Sequence, residues 1–244
     1  MEGVLKLNSV TIYLYSLLLA ISFLWGSFVA YKKAIESHFE EVRILDTVVL
    51  SGFWSFVFGR VMYVLLNPGT FWGNWPRVFF LRNYPGLSHW GLLLGIFLAV
   101  WLATRKQKGQ VFDLLDLAGL GLTGGMVIYF AGLVFSGSVF AVGAAVASLV
   151  VFSLLWKGEQ EYRTYEWYKN KKTQARSGFI TGVALSYYGL AHFAWQMASP
   201  DRKLVGIMAD LLLFAGGWVI VYSRSGRSLS DDLKLIKRHG RKKE

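Results

Sequence analysis

The chain has 244 residues, 54% of them hydrophobic and 16% aromatic, with a formal net charge of +11. That apolar content is too high for an ordinary soluble domain of this length. Long apolar runs broken by short basic loops point instead to an all-α, polytopic membrane protein with no room for a separate soluble domain. There is no cysteine, which excludes disulfides, a thiolate nucleophile and Cys-ligated metal.

Seven spans are expected, at about residues 10–31, 44–66, 90–104, 111–135, 139–156, 178–198 and 204–222. Each lies near the roughly 20 residues that cross about 30 Å of hydrocarbon, the third and fifth being short. The first run is long, lacks a small-residue cleavage site and is followed by Lys32 and Lys33, so it reads as a retained span rather than a cleaved signal peptide. Residues 67–88 are rich in Pro, Gly and Trp. Phe71, Trp72, Trp75, Phe79, Phe80 and Tyr84 suit the headgroup region, where one side of a ring is buried and the other wet. A surface helix is expected to begin there near Pro76. Residues 157–177 are polar and tyrosine-rich and read as a surface extension of the fifth helix. The membrane domain thus covers residues 1–222, and a basic tail follows at 223–244, with Leu229, Leu233, Leu235 and Ile236 on one side of a short amphipathic helix.

Most of the 26 Lys and Arg fall on one face, in the loops after spans one, three and five and in the tail. Lys6, Arg77, Arg82, Arg202 and Lys203 fall on the other, and Arg60 lies inside a span. The bias puts the N-terminus outside and the C-terminus in the cytoplasm. The net charge is therefore a topology signal, helped by anionic lipid, and nucleic acid is not an expected partner.

Ionisable residues inside spans carry the functional information, since one charge at depth costs about 2.5–3.5 kcal/mol on insertion scales. Asp46 and Asp113 sit near cytoplasmic ends, where solvation explains them. Asp116 is about a turn deeper and Asp210 starts from the outer side, so solvation explains neither as easily. Arg60 is either a snorkelling or helix-pairing residue, or a cation facing a cavity that holds an anionic lipid headgroup. His89 either caps span three or accepts a proton at the depth of lipid esters. His192, within span six, is either a hydrogen-bonded packing residue or part of a site. Two histidines with scattered aspartates do not form a recognisable metal site, no cofactor is expected, and GxSxG, HExxH and P-loop patterns are absent.

In this order the pieces resemble the bacterial prolipoprotein diacylglyceryl transferase family over nearly the whole length. Ile12-Tyr13-Leu14-Tyr15-Ser16-Leu17-Leu18 is similar to the family's I-x-W-Y-G-L-L, and Gly59-Arg60-Val61-Met62-Tyr63-Val64-Leu65 to its G-A-R-L-x-Y-V-L. Gly86-Leu87-Ser88-His89-Trp90-Gly91-Leu92 resembles G-M-S-F-H-G-G-L. Residues 108–116, KGQVFDLLD, resemble the basic loop and F-x-x-x-D that open span four. Tyr187-Tyr188-Gly189-Leu190-Ala191-His192-Phe193 resembles L-Y-G-x-x-R-F. The resemblance implies transfer of a diacylglyceryl group from phosphatidylglycerol to the cysteine of a prolipoprotein signal peptide. It implies His89 as base, His192 as a second catalytic residue, Arg60 as a phosphate or structural cation, and Tyr15, Tyr63 and Tyr188 around the lipid headgroup.

The chain also departs from the family's pattern. Where the family signature reads G-R-x-G-N-F-x-N-G, Phe130 stands at the arginine and Leu133 at the asparagine. His192 replaces a second arginine and Gln196 a glutamate four residues later. The extracytoplasmic head domain is reduced to a few residues near Ser138. Two functions from different classes follow: a divergent transferase, or a non-catalytic relative that binds anionic lipid or a membrane partner. A small transporter is disfavoured, because the chain has no discontinuous-helix repeats.

Overall fold

The computed structural model describes residues 3–7, 10–81, 83–105, 111–135, 137–168, 177–199 and 204–224. Its helices are α1 (Leu14–Glu36), α2 (Glu41–Leu66), α3 (Pro68–Phe71), α4 (His89–Thr104), α5 (Val111–Val134), α6 (Val139–Tyr168), α7 (Phe179–Ala198) and α8 (Leu204–Arg224). All but the short α3 coincide with the seven expected spans. Helices α1, α2, α5, α8 and the Val139–Gln160 part of α6 are long and apolar enough to cross a membrane, and α4 is an apolar helix of 16 residues. The protein is thus an all-helical membrane protein in its main architecture. The basic tail and its amphipathic pattern lie outside the described residues.

Two expectations are corrected. Span one does not begin at residue 10: strand β2 (Val10–Tyr13) pairs antiparallel with β1 (Gly3–Leu7), and the helix starts at Leu14. Val10, Thr11 and Ile12 are three β-branched residues in succession, which favours strand over helix. The helix expected near Pro76 is a single 3-10 turn, Trp75–Val78. It goes no further because the Arg77 and Val78 carbonyls accept bonds from Arg60 instead of from later amides.

The chain forms two compact units, Ala30–Leu115 and Met1–Val29 with Asp116–Glu244. The first is organised by the antiparallel pair α2 and α4. One face of α2 carries Thr47, Ser51, Ser55 and Gly59, all buried and four apart. The facing stripe of α4 is Gly91, Gly95 and Ala99. A Cβ on Gly91 would meet the Phe58 carbonyl, and one on Gly95 the Ser55 backbone. Small residues at this spacing let backbones touch, and in lipid such close packing holds helices together, because tails are as apolar as the helix surfaces. The Ser55 hydroxyl donates to the Leu92 carbonyl at 2.9 Å, and the Ser88 amide to the Gly59 carbonyl at 2.8 Å. Outward-facing positions of α2 such as Val49 and Phe53 are exposed, as lipid-facing residues should be.

The second unit repeats the device twice. Ser22 and Gly26 of α1 meet Gly125 and Gly121 of α5 through their backbones. Gly182, Ser186 and Gly189 of α7 meet Gly217 and the 210–214 backbone of α8. One apolar cluster joins Leu18, Met126, Phe130, Leu133, Ala141, Ala144 and Ala191, and a second joins Val29, Leu120, Leu155, Ile180 and Ala184. Asp116 is explained here. Its buried carboxylate accepts the Gly178 amide at 2.7 Å, the Thr181 amide at 2.8 Å and the Thr181 hydroxyl at 2.5 Å. It caps the start of α7, where orphan amides and the helix dipole favour an anion.

Candidate functional site

In the first unit the centre is Arg60, on α2 and 6% exposed. Its Nε donates to the Val78 carbonyl at 2.8 Å, Nη1 to Tyr84 at 2.8 Å and Gly86 at 3.1 Å, and Nη2 to Arg77 at 3.1 Å. The guanidinium also lies 5.2 Å from the Phe71 ring centroid and 5.7 Å from that of Tyr63. A planar fork with five N–H groups suits carbonyls arriving from several directions. Four of the five are given to backbone, so the cation expected at a lipid headgroup pins the segment between α2 and α4 to α2.

That segment ends at the residue that matters most. Gly86 has φ +154° and lies against the Tyr63 ring where a Cβ would collide, so only glycine serves there. Tyr63 meets Phe71 edge to face at 6.0 Å. Ser88 is the buried N-cap of α4, and half-buried His89 is the first residue of the helix, its ring 4.7 Å from that of Trp90. Arg60, Tyr63 and His89 therefore belong to one construction, in which α2 supplies the anchors and the pinned segment delivers the histidine. Trp72, Trp75 and Phe79 on the same segment are strongly exposed, an aromatic surface of the kind that lies in headgroups.

In the second unit the centre is His192 on α7. Its Nδ1 lies 2.8 Å from Oδ2 of Asp210, which is fully buried on α8. The Gln196 amide donates to the same oxygen. The imidazole is parallel to the Tyr188 ring, 11° between planes and 6.3 Å between centroids. Tyr15 of α1 meets Tyr129 of α5 edge to face at 6.1 Å. Phe130 and Leu133, the replacements noted in the signature, are 6% and 9% exposed within the first apolar cluster. Both pack as hydrocarbon within that cluster.

The sequence reading missed Asp210 as the partner of His192 and Gln196 as its second donor. A signal existed. Positions 192 and 210, and 196 and 206, are equally far from the connection between α7 and α8, as facing residues of an antiparallel helix pair must be.

The fold and these clusters define a polytopic helical membrane protein with ionisable groups held inside its helix pairs. The model of the LGT family, prolipoprotein diacylglyceryl transferase, matches residues 2–143, and the chain belongs to that family. It is similar to the phosphatidylglycerol–prolipoprotein diacylglyceryl transferase of Thermoanaerobacter sp. strain X514, at 30% identity over 152 residues, 59% of each chain. The protein of that name from Caldanaerobacter subterraneus is 28% identical over 131 residues, 54% of this chain and 51% of the relative. The one from Nitratidesulfovibrio vulgaris is 22% identical over 237 residues, 86% of this chain and 89% of the relative. The chain spans between half and three-fifths of the length of the first two relatives.

Proposed function

We propose that the protein transfers a diacylglyceryl group from phosphatidylglycerol to the cysteine thiol of a prolipoprotein signal peptide. The observation that carries this reading is the family match over residues 2–143, which includes Tyr15, Arg60, Tyr63 and His89. In the proposed reaction His89 takes the thiol proton, the sulfur bonds to the glyceryl carbon, and the carbon–oxygen bond to phosphate breaks, releasing glycerol phosphate. His192 faces the developing negative charge on that phosphate. Tyr15, Tyr63 and Tyr188 hold the lipid headgroup, and Arg60 acts by seating the segment that carries His89. The reaction as written needs no metal or cofactor, and nucleic acid has no part in it. The protein works in the bacterial cytoplasmic membrane, N-terminus outside, with residues 67–88 in the outer headgroup region and residues 223–244 in the cytoplasm.

A second reading, a non-catalytic relative that binds anionic lipid, is favoured by the packing of Phe130 and Leu133 as hydrocarbon where the resembled family carries an arginine and an asparagine. Complementation separates the two. The chain is expressed in cells depleted of their own transferase, and growth and the mobility shift of a model prolipoprotein are followed. Rescue that is lost in His89→Ala supports the enzyme. Failure to rescue despite good membrane expression supports the lipid-binding relative.

A further inference from the structure

Ser88 is an N-cap residue that does not cap. Its backbone is extended, φ −87° and ψ 127°, as an N-cap requires, yet its side chain makes no bond to the first turn of α4. The residue is 6% exposed, and its buried hydroxyl has no hydrogen-bond partner among the described residues. Its amide, by contrast, is committed to the Gly59 carbonyl at 2.8 Å. The first bond of α4 runs from the Leu92 amide to the Ser88 carbonyl. Gly91, third in the helix and buried, offers the amide that an N-cap oxygen ordinarily takes, and that amide has no acceptor among the described residues. A buried hydroxyl and a buried amide seldom both go unmatched, and one acceptor oxygen between them would match both.

The charge here has one sign. A helix start carries positive partial charge on its orphan amides. Arg60 adds a full charge, since its Nη1 bonds the Gly86 carbonyl two residues before Ser88. The acidic residues of this unit are Glu36, Glu40, Glu41, Asp46 and Asp113. They lie at the end of α1, the start of α2 and the start of α5, at the opposite end of the α2–α4 pair. From Asp46 to Gly59 alone the helix rises about 20 Å. The site is also held in place, because a Cβ on Gly91 would meet the Phe58 carbonyl of α2.

We infer that the Ser88 hydroxyl and the Gly91 amide bind one oxygen of a phosphate group at the start of α4. Both groups donate to it, and the helix start and Arg60 favour its negative charge. A lipid headgroup is the nearer source. Trp72, Trp75 and Phe79 belong to the segment that ends at Ser88, and such exposed rings lie at headgroup depth. Free phosphate offers the same oxygen. Binding stands by itself. That the two donors also take up charge on the departing phosphate rests on the transferase reading above.

The test uses the full chain in maltoside, stripped of lipid, with affinities read from the rise in melting temperature on titration. The probes are phosphatidylglycerol, diacylglycerol and inorganic phosphate. Without a probe, Ser88→Ala should melt with the wild type, because no cap bond is lost. Ser88→Asp should melt no lower, because a carboxylate suits a helix start. Affinity for phosphatidylglycerol should fall fivefold or more in Ser88→Ala and further in Ser88→Asp, whose carboxylate repels the phosphate. A rise with inorganic phosphate that Ser88→Asp abolishes upholds the site and makes free phosphate its source. Three results overturn the inference: equal stabilisation by diacylglycerol, unchanged affinity in both variants, or a probe-free Ser88→Ala that melts several degrees low, which would reveal a working cap. Ser88→Ala decides alone if Ser88→Asp does not fold. Binding that depends on Ser88, without transfer to a lipobox peptide by the wild type, keeps the site and defeats the transferase reading. Transfer with binding indifferent to Ser88 does the reverse.

Discussion

Replacing Arg60 with alanine should free the segment between α2 and α4 from α2 while leaving the α2–α4 pair intact. Four hydrogen bonds tie the guanidinium to the carbonyls of residues 77, 78, 84 and 86. A bond to a charged group is worth about 1.5–3 kcal/mol net in a buried setting. These carbonyls are half-buried and can rehydrate, so about 1 kcal/mol each is the better figure, near 4 kcal/mol together. At about 1.4 kcal/mol per tenfold, the segment should open close to a thousandfold more often. Hydrogen–deuterium exchange of the protein in detergent reads this directly. The amides to follow are Phe79, Leu81 and Tyr84, all hydrogen-bonded within the segment. Their protection should collapse in Arg60→Ala and weaken less in Arg60→Lys, whose compact ammonium reaches fewer of the four carbonyls. Amides in the middle of α2 should keep theirs. Exchange of the three amides within about threefold of wild type would show that Arg60 does not hold the segment, and its role in seating His89 would fall with it.

Asp116→Ala removes a three-bond cap and should lower stability by about 2 kcal/mol, visible as a lower melting temperature and faster exchange at Thr181, with Asp116→Asn keeping part of the effect. Gly95→Ala forces a Cβ into the Ser55 backbone, and a loss of about 1–3 kcal/mol is expected in thermal unfolding, whereas Gly143→Ala, which meets nothing within 4 Å, should be neutral or slightly stabilising. Phe130→Arg places a guanidinium among Leu18, Met126 and Ala141, at about 2.5–3.5 kcal/mol by insertion scales. It should reduce the yield of folded protein in detergent and should not raise diacylglyceryl transfer. A gain in transfer would mean that this apolar cluster can rearrange into a phosphate site.

The spans were legible because each is a long apolar run, a local property that needs no knowledge of neighbours. The errors sit where a local rule met a distant partner. Pro76 gave a proper helix start, but Arg60, far back on α2, claims the carbonyls that a longer helix would have used. Asp116 looked unexplained because its partners, Gly178 and Thr181, lie more than 60 residues further on. Arg60 and His89 stood out in the sequence, since a charge in an apolar run and a histidine at a helix mouth announce themselves. What each touches was not readable, because hydrogen-bond partners depend on which backbones come close. The β1–β2 hairpin was overlooked for another reason: apolar strand residues running straight into an apolar helix make no break in a hydropathy pattern.

The Asp116 cap bears on how the protein is made. Helix α7 carries Ser186, Tyr187, Tyr188, His192 and Gln196 and is not among the helices apolar enough to cross on their own. During synthesis the carboxylate that completes its first turn is already in place when α7 emerges, and its other partner, α8, follows directly. Insertion of α7 is therefore expected to depend on the earlier helix that caps it and the later one that packs against it. A chain stopped just after residue 199 should leave α7 poorly inserted, with its histidine on the wrong side of the barrier.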